Sequence, residues 1–279
     1  MEYILNMYQR KNWLEPFLIY SIYILLLVTV ILFITLLVVR YNKIKKDKLK
    51  IKHDILIEEM LLNILFSTGN FSKYLNDLRY APLFKNKFFR EQLMASVINL
   101  HINYEGLYAK RLEAFYHESH LITDSFRKLK DSRWEINCQA IEELSEMNVT
   151  TVFEHLVDSS KSPNITLKIA AIKGCIKLNG TKGLTHLVRH KDPLDQWTQL
   201  TIIHALKQGD IEHTEGIDLL LFSKNSSVVS LGLKIIQTLQ LSQYSVDILR
   251  MMNQTENKVL KHEAHSVISK IKINTTVTL

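Results

Sequence analysis

Cysteine is nearly absent. The 279-residue chain holds two, Cys138 and Cys175, with no Cys-x-x-Cys spacing. That excludes a disulfide framework and a structural zinc site, and it fits a reducing compartment. Glycine is scarce as well, at eight residues, and no Gly-x-Ser-x-Gly, P-loop or Gly-x-Gly-x-x-Gly motif occurs. The loops that expose a nucleophile or cradle a phosphate are therefore missing. Eleven histidines form close pairs at His186 with His190, His117 with His120 and His262 with His265. None has the glutamate of a His-Glu-x-x-His motif or a third ligand near in sequence, as a zinc site requires. His155 and His186 fill equivalent places in the pattern described below, later taken by Leu219 and Ile248, which points to packing. The expectation is a protein that is not an enzyme, with no catalytic residue, metal or cofactor.

A basic face of the kind that binds nucleic acid is also lacking, despite a net charge of +7 and a pI of 9.2. Residues 40–52 alone carry seven basic side chains against one acidic, whereas residues 53–279 hold 26 basic and 25 acidic. Nucleic-acid binding needs basic charge concentrated on one surface, so no nucleic-acid partner is expected.

What is present in quantity is apolar sequence. Residues 17–39 read FLIYSIYILLLVTVILFITLLVV, 23 residues without a charge. As a helix this run is about 35 Å long, enough to cross a hydrocarbon core of about 30 Å with some tilt. Only Ser21, Thr29 and Thr35 interrupt it, and each can bond back to its own helix. Trp13, Tyr20, Tyr23 and Tyr41 lie near its ends, where amphipathic rings suit the headgroup layer. The run is too long for a signal-peptide core, and no small-residue cleavage site follows.

The collar after it comprises Arg40, Lys43, Lys45, Lys46, Lys48, Lys50 and Lys52, against two basic residues in the N-terminal tail. Positive-inside bias then keeps the C-terminal side in the cytoplasm, and the same residues are candidates for contact with the membrane surface. The segments expected are an extracytoplasmic tail at 1–16, a transmembrane helix at 17–39, a basic juxtamembrane segment at 40–52, an irregular helical cap at 53–131, five repeats over 132–273 and a tail at 274–279.

The repeats rest on one series. Ala140, Ala171, Thr201, Gly232 and Ala264 are separated by 31, 30, 31 and 32 residues. Four residues before each stand Ile136, Leu167, Trp197, Val228 and Leu260, which lie in the same helical stripe. A small residue at the recurring position lets a neighbouring helix approach closely. Shorter apolar segments centred on Leu156, Leu187, Leu220 and Leu249 alternate with these, so each unit reads as two antiparallel helices. Pro163 and Pro193 follow Ser162 and Asp192, a helix-starting arrangement. Gly180 and Gly209 follow helix ends, where a left-handed residue closes the last turn. In residues 53–131, Gly69, Pro82 and a polar Asn-Tyr-Glu-Gly stretch break the helices, and the 31-residue spacing is lost.

The period, the recurring alanine and the segments SRWEINCQAIEELSEMNV and DPLDQWTQLTII resemble membrane-anchored bacterial HEAT-repeat proteins over residues 132–273. The arginine usual after the first helical position is replaced here by Asn137, Lys168, Thr198, Val229 and Lys261. The resemblance implies an all-α chain, one N-terminal transmembrane helix followed by an α-solenoid of helical hairpins, and a binding surface in place of catalysis. The function expected is a membrane-tethered scaffold at the inner face of a bacterial inner membrane, lying in the bilayer through residues 17–39. The alternatives are an accessory subunit of a membrane enzyme complex, such as a glycosyltransferase, or a structural spacer. Within the second helices of the units, two positions four apart read Glu142, Lys173, Ile203, Lys234, Ser266 and Glu146, Lys177, Lys207, Thr238, Lys270. Lys173, Lys177, Lys207 and Lys234 are thus the candidate binding residues, and the partner expected is a protein with an acidic segment.

Overall fold

The computed structural model describes residues 2–66, 71, 77–208 and 214–277, with side chains for those between 16 and 271. Among these the protein is all-helical, 82% helix with no strand. Two compact units are distinguished, Met1–Leu62 and Asn63–Leu279.

The first unit is made by residues 2–62 of helix α1, which spans Glu2–Phe66. Its apolar stretch, with a mean hydropathy of 3.2, is long and apolar enough to cross a membrane, and none of it is buried inside the protein. The three polar interruptions are neutralised locally. Ser21, Thr29 and Thr35 each donate a hydroxyl proton to a carbonyl of the same helix, those of Leu18, Leu25 and Ile31, at 2.8 Å. The basic collar from Arg40 to Lys52 continues the helix with every residue exposed. The side chains of Trp13 and of the tail charges lie outside the described residues.

The second unit begins with four helices, α2 (Ala81–Phe84), α3 (Lys87–Asn103), α4 (Leu107–Glu118) and α5 (Leu121–Leu129). Gly69 lies outside the described residues. Asn86 starts α3 by accepting from the Phe88 amide at 2.9 Å, a side-chain cap for an otherwise orphaned donor. Phe89, Leu93, Val97, Leu112 and Phe115 are fully buried. Arg90 fixes the turn between α4 and α5. Its guanidinium donates to Asp124 at 2.5 Å and to the carbonyls of His120 and Ser119 at 2.7 and 3.3 Å. His120 sits there with a left-handed φ of 58°.

From residue 134, long helices alternate with short ones. The long set is α6 (Trp134–Glu146), α8 (Ile165–Asn179), α9 (Gln196–Gln208), α11 (Ser226–Thr238) and α13 (Lys258–Val277). Between them lie α7 (Phe153–Ser159), a 3-10 helix (Gly180–Arg189), α10 (Ile217–Leu221) and α12 (Ser245–Gln254). Each long helix packs on the next long one, α6 on α8, α8 on α9, α9 on α11 and α11 on α13. Hydrogen bonds tie the later helices: the Leu194 amide donates to Ser227 Oγ at 2.8 Å, Lys234 to Gln199 Oε1 at 2.8 Å and Ser230 to Glu263 at 2.9 Å. Ala140, Ala171 and Ala264 are wholly buried. A methyl on Gly232 would meet Leu220 Cβ at 3.1 Å, so the small residues do stand at close approaches.

Several local readings differ. In α9 the buried stripe is Thr198, Ile202 and Leu206, while Trp197 is 69% exposed. The true register therefore lies one residue beyond Trp197 and Thr201. Asp195 sets it, accepting from the Thr198 amide at 2.8 Å and the Thr198 hydroxyl at 2.6 Å. A threonine so satisfied can be buried. Helix starts also shift. Asn164, not Ser162, caps α8 by accepting from the Leu167 amide at 3.1 Å, and Asp195 displaces Asp192 in α9. In α12 the core residue is Ile248, fully buried, and Leu249 is half exposed.

Gly180 closes α8 with a positive φ of 57° but a ψ of −141°, a glycine conformation other than the left-handed turn expected; Gly209 lies outside the described residues. The segment after Gly180 winds as a 3-10 helix and runs against the backbone of α8. A Cβ on Gly183 would stand 2.1 Å from the Cys175 carbonyl oxygen.

Candidate functional site

Within the second unit, α3, α6, α8, the 3-10 helix and α9 surround an open pocket of about 1030 Å³. Its floor is made possible by Gly174. A methyl there would meet Leu156 Cδ1 at 3.0 Å and Ile141 Cγ2 at 3.2 Å, so α8 lies close on α6 and α7. Helices α6 and α8 are also in register. Glu146 and Lys177 hold the same place in their helices, and Lys177 Nζ stands 3.0 Å from Glu146 Oε1. Ile98 and Ile102, one turn apart on α3, supply an apolar wall.

Of the four lysines named from the sequence, Lys173 and Lys177 line this pocket. Lys207 is exposed on α9 outside the lining, and Lys234 is half-buried and bonded to Gln199. The expected stripe is thus divided. Lys234 serves contact between helices, and Lys177 is engaged with Glu146. Lys182, outside the lysine series of the second helices, pairs with Glu215 at 2.5 Å on the pocket rim. Lys173 and the Glu142 carboxylate line the pocket without an ion pair or hydrogen bond among the described residues.

Behind Glu146 lies a histidine that sequence spacing did not single out. The His101 side chain is one-tenth exposed; its Nε2 is 3.1 Å from Glu113 and its Nδ1 is 3.6 Å from Glu146 Oε1. The longer separation is an ion-pair distance, not a hydrogen bond. Glu146 is the largest cause holding the imidazole pKa above its ordinary 6.5; Glu113 adds to it, and burial opposes both. On Glu146 burial pushes the carboxyl up most strongly, yet His101 and Lys177 together hold it below its ordinary 4.5. Glu146 is therefore a carboxylate held between the His101 imidazole and the half-exposed Lys177 ammonium. The signal for Lys177 was available, because Glu146 and Lys177 are equivalent positions 31 residues apart. For His101 there was none, since it lies where the spacing is irregular.

The other ionisable clusters are occupied structurally. Glu143 is buried and accepts from Ser125 at 2.5 Å, from Gln139 at 2.8 Å and from Lys128. His186 and His190 turn Nδ1 to the carbonyls of Gly183 and Asp192 at 2.7 and 2.9 Å. His190 lies beyond the end of the 3-10 helix, in extended backbone, so the pair does not sit on one helical face. His155 is exposed, so packing describes His186 and not its equivalent. Among the described residues no group of three or more His, Cys, Asp or Glu is placed to hold a metal ion. Burial pushes the Cys175 thiol up to about 12, far from a nucleophile.

The chain matches no protein-family model, and a search of curated proteins finds no match to it.

Proposed function

We propose that this chain is a single-pass membrane protein whose helical domain is a HEAT-like α-solenoid presenting a groove to a protein partner. One observation carries the reading: α6, α8 and α9 pack in series and hold Lys173, unpaired among the described residues, beside an apolar wall in one pocket. Stacked helices of this kind use such surfaces for extended partners. The apolar run of α1 supports membrane anchorage. The excess of basic residues after it supports an N-terminus outside and a cytoplasmic domain at a bacterial inner membrane. The partner contributes an acidic segment, with Lys173 as its anchor. The role is that of a scaffold, with no chemistry of its own.

A photo-crosslinking residue placed at Lys173 in living cells tests the groove. It should yield a discrete adduct, whereas the same residue at Lys234 should yield none. Adducts only from Lys234, or from neither site, overturn the proposal. Topology is tested separately by single cysteines placed near residues 5 and 255. An impermeant thiol reagent applied to intact cells should label the first and spare the second.

A further inference from the structure

Helices α6 and α8 bring two equivalent pairs of opposite charges to the pocket, one helical turn apart. Glu146 with Lys177 is closed at 3.0 Å. Glu142 with Lys173 is open, both side chains exposed and neither engaged among the described residues. The open pair therefore offers a cation and an anion on neighbouring helices. Ile98 and the 61%-exposed Ile102 stand on the same pocket. We infer that the groove takes a peptide segment bearing both charges around an apolar side chain. Its carboxylate meets Lys173, its ammonium or guanidinium meets Glu142, and the apolar group rests on Ile98 and Ile102.

This deepens the acidic-partner reading and depends on the pocket being the partner site. A purely acidic segment would satisfy Lys173 but set its other charges against Glu142. A purely basic one would do the reverse. A like charge facing a fixed charge raises the energy of the complex, so the mixed segment is favoured over either.

Selection of a random displayed heptapeptide library on the full chain in lipid nanodiscs tests this. The wild-type protein should enrich peptides with one acidic and one basic residue flanking an apolar one. Fluorescence anisotropy with the most enriched peptide should show about fivefold weaker binding to Lys173→Glu and to Glu142→Lys, the upper end for exposed ion pairs. The variant carrying both exchanges should recover most of that loss with a peptide of reversed charge order. Ile102→Asp should remove binding, with thermal unfolding unchanged. Enrichment of acidic peptides lacking a base sinks the mixed-charge inference and leaves the acidic partner standing. Peptides that bind Ile102→Asp and both exchanges as well as wild type overturn the pocket as the site, and the function proposed for it as well.

Discussion

The two parts of the second unit solve burial differently. Between residues 87 and 146 ionisable groups lie in or against the core: buried Glu143 with Lys128, part-buried Arg90 with Asp124, and His101 between Glu113 and Glu146. Between residues 172 and 271 the core cluster is aliphatic, from Ile172 through Leu220 and Ile236 to Ile271. Its buried polar groups include Thr198 and Gln199, the latter donating to the Leu194 carbonyl at 3.0 Å. In the later part each long helix packs on the next long one, and the shared contacts are apolar. Against α6, by contrast, side chains of α3 and α5 are fixed by polar contacts, Ser125 and Lys128 to Glu143 and His101 beside Glu146. Buried charge is costly unless each group is answered, so the earlier part should be the more brittle.

The largest effect should come from Glu143→Ala. It leaves the Lys128 ammonium, the Ser125 hydroxyl and the Gln139 amide without their acceptor, at a cost of about 3–5 kcal/mol for a broken buried pair. Thermal denaturation in detergent reads this out; a fall under about 1 kcal/mol would show that the charged core is not brittle.

Overpacking the aliphatic part should cost less. Ala171→Leu adds bulk at a fully buried position, worth about 1–3 kcal/mol. Because neighbouring helices share that contact, faster hydrogen exchange should concentrate in residues 150–206. Uniform change across the unit would break the contrast between serial packing and a single shared core.

A smaller effect is expected with pH. His101 has its pKa raised in the fold, so its contribution is complete below 6.5 and is lost as pH rises through the folded value. Glu146 is depressed, so its contribution is present above 4.5 and is lost as pH falls through its folded value. Wild-type stability should decline above pH 6.5, and His101→Gln should flatten that decline. An unchanged slope would detach the histidine from the network.

The smallest effect is chemical. Cys175 is wholly buried and Cys138 only partly so. Ellman's reagent at neutral pH should modify Cys138 and spare Cys175 until the chain unfolds. Equal rates at the two thiols would mean that the aliphatic part opens as readily as the charged one.

Much of the helical fold was legible in sequence because helical period, small residues and glycine act locally. The apolar run, the self-bonded Ser21, Thr29 and Thr35, the buried Ala171 and the closing Gly180 all depend on near neighbours. What was not legible involved near-equal alternatives. In α9 the stripes from Trp197 and from Thr198 are each spaced correctly, and the bonds from Asp195 decide between them. At the start of α8, Ser162 and Asn164 are both good caps, and only one reaches the Leu167 amide. The close approach of Gly183 to the Cys175 carbonyl is a contact that no local pattern announces. In the candidate site, two of four lysines fell into the pocket. The sequence showed their faces but not which carboxylates would stand beside them, and it gave no sign of His101.

The hydrogen bonds that tie α9 to α11 and α11 to α13 have a kinetic consequence. Leu194 with Ser227, Gln199 with Lys234 and Ser230 with Glu263 are 33, 35 and 33 residues apart. Closing loops of that size costs somewhat less entropy than pairing distant ends of a chain, about 0.6 kcal/mol less per halving of length, and topologies rich in short-range contacts fold quickly. On a ribosome, a segment need only wait for the next thirty-odd residues, a few seconds at about 5–20 residues per second. The aliphatic part can therefore be acquired in order of synthesis, each helix docking as it emerges, without a long interval in which its apolar stripes face water.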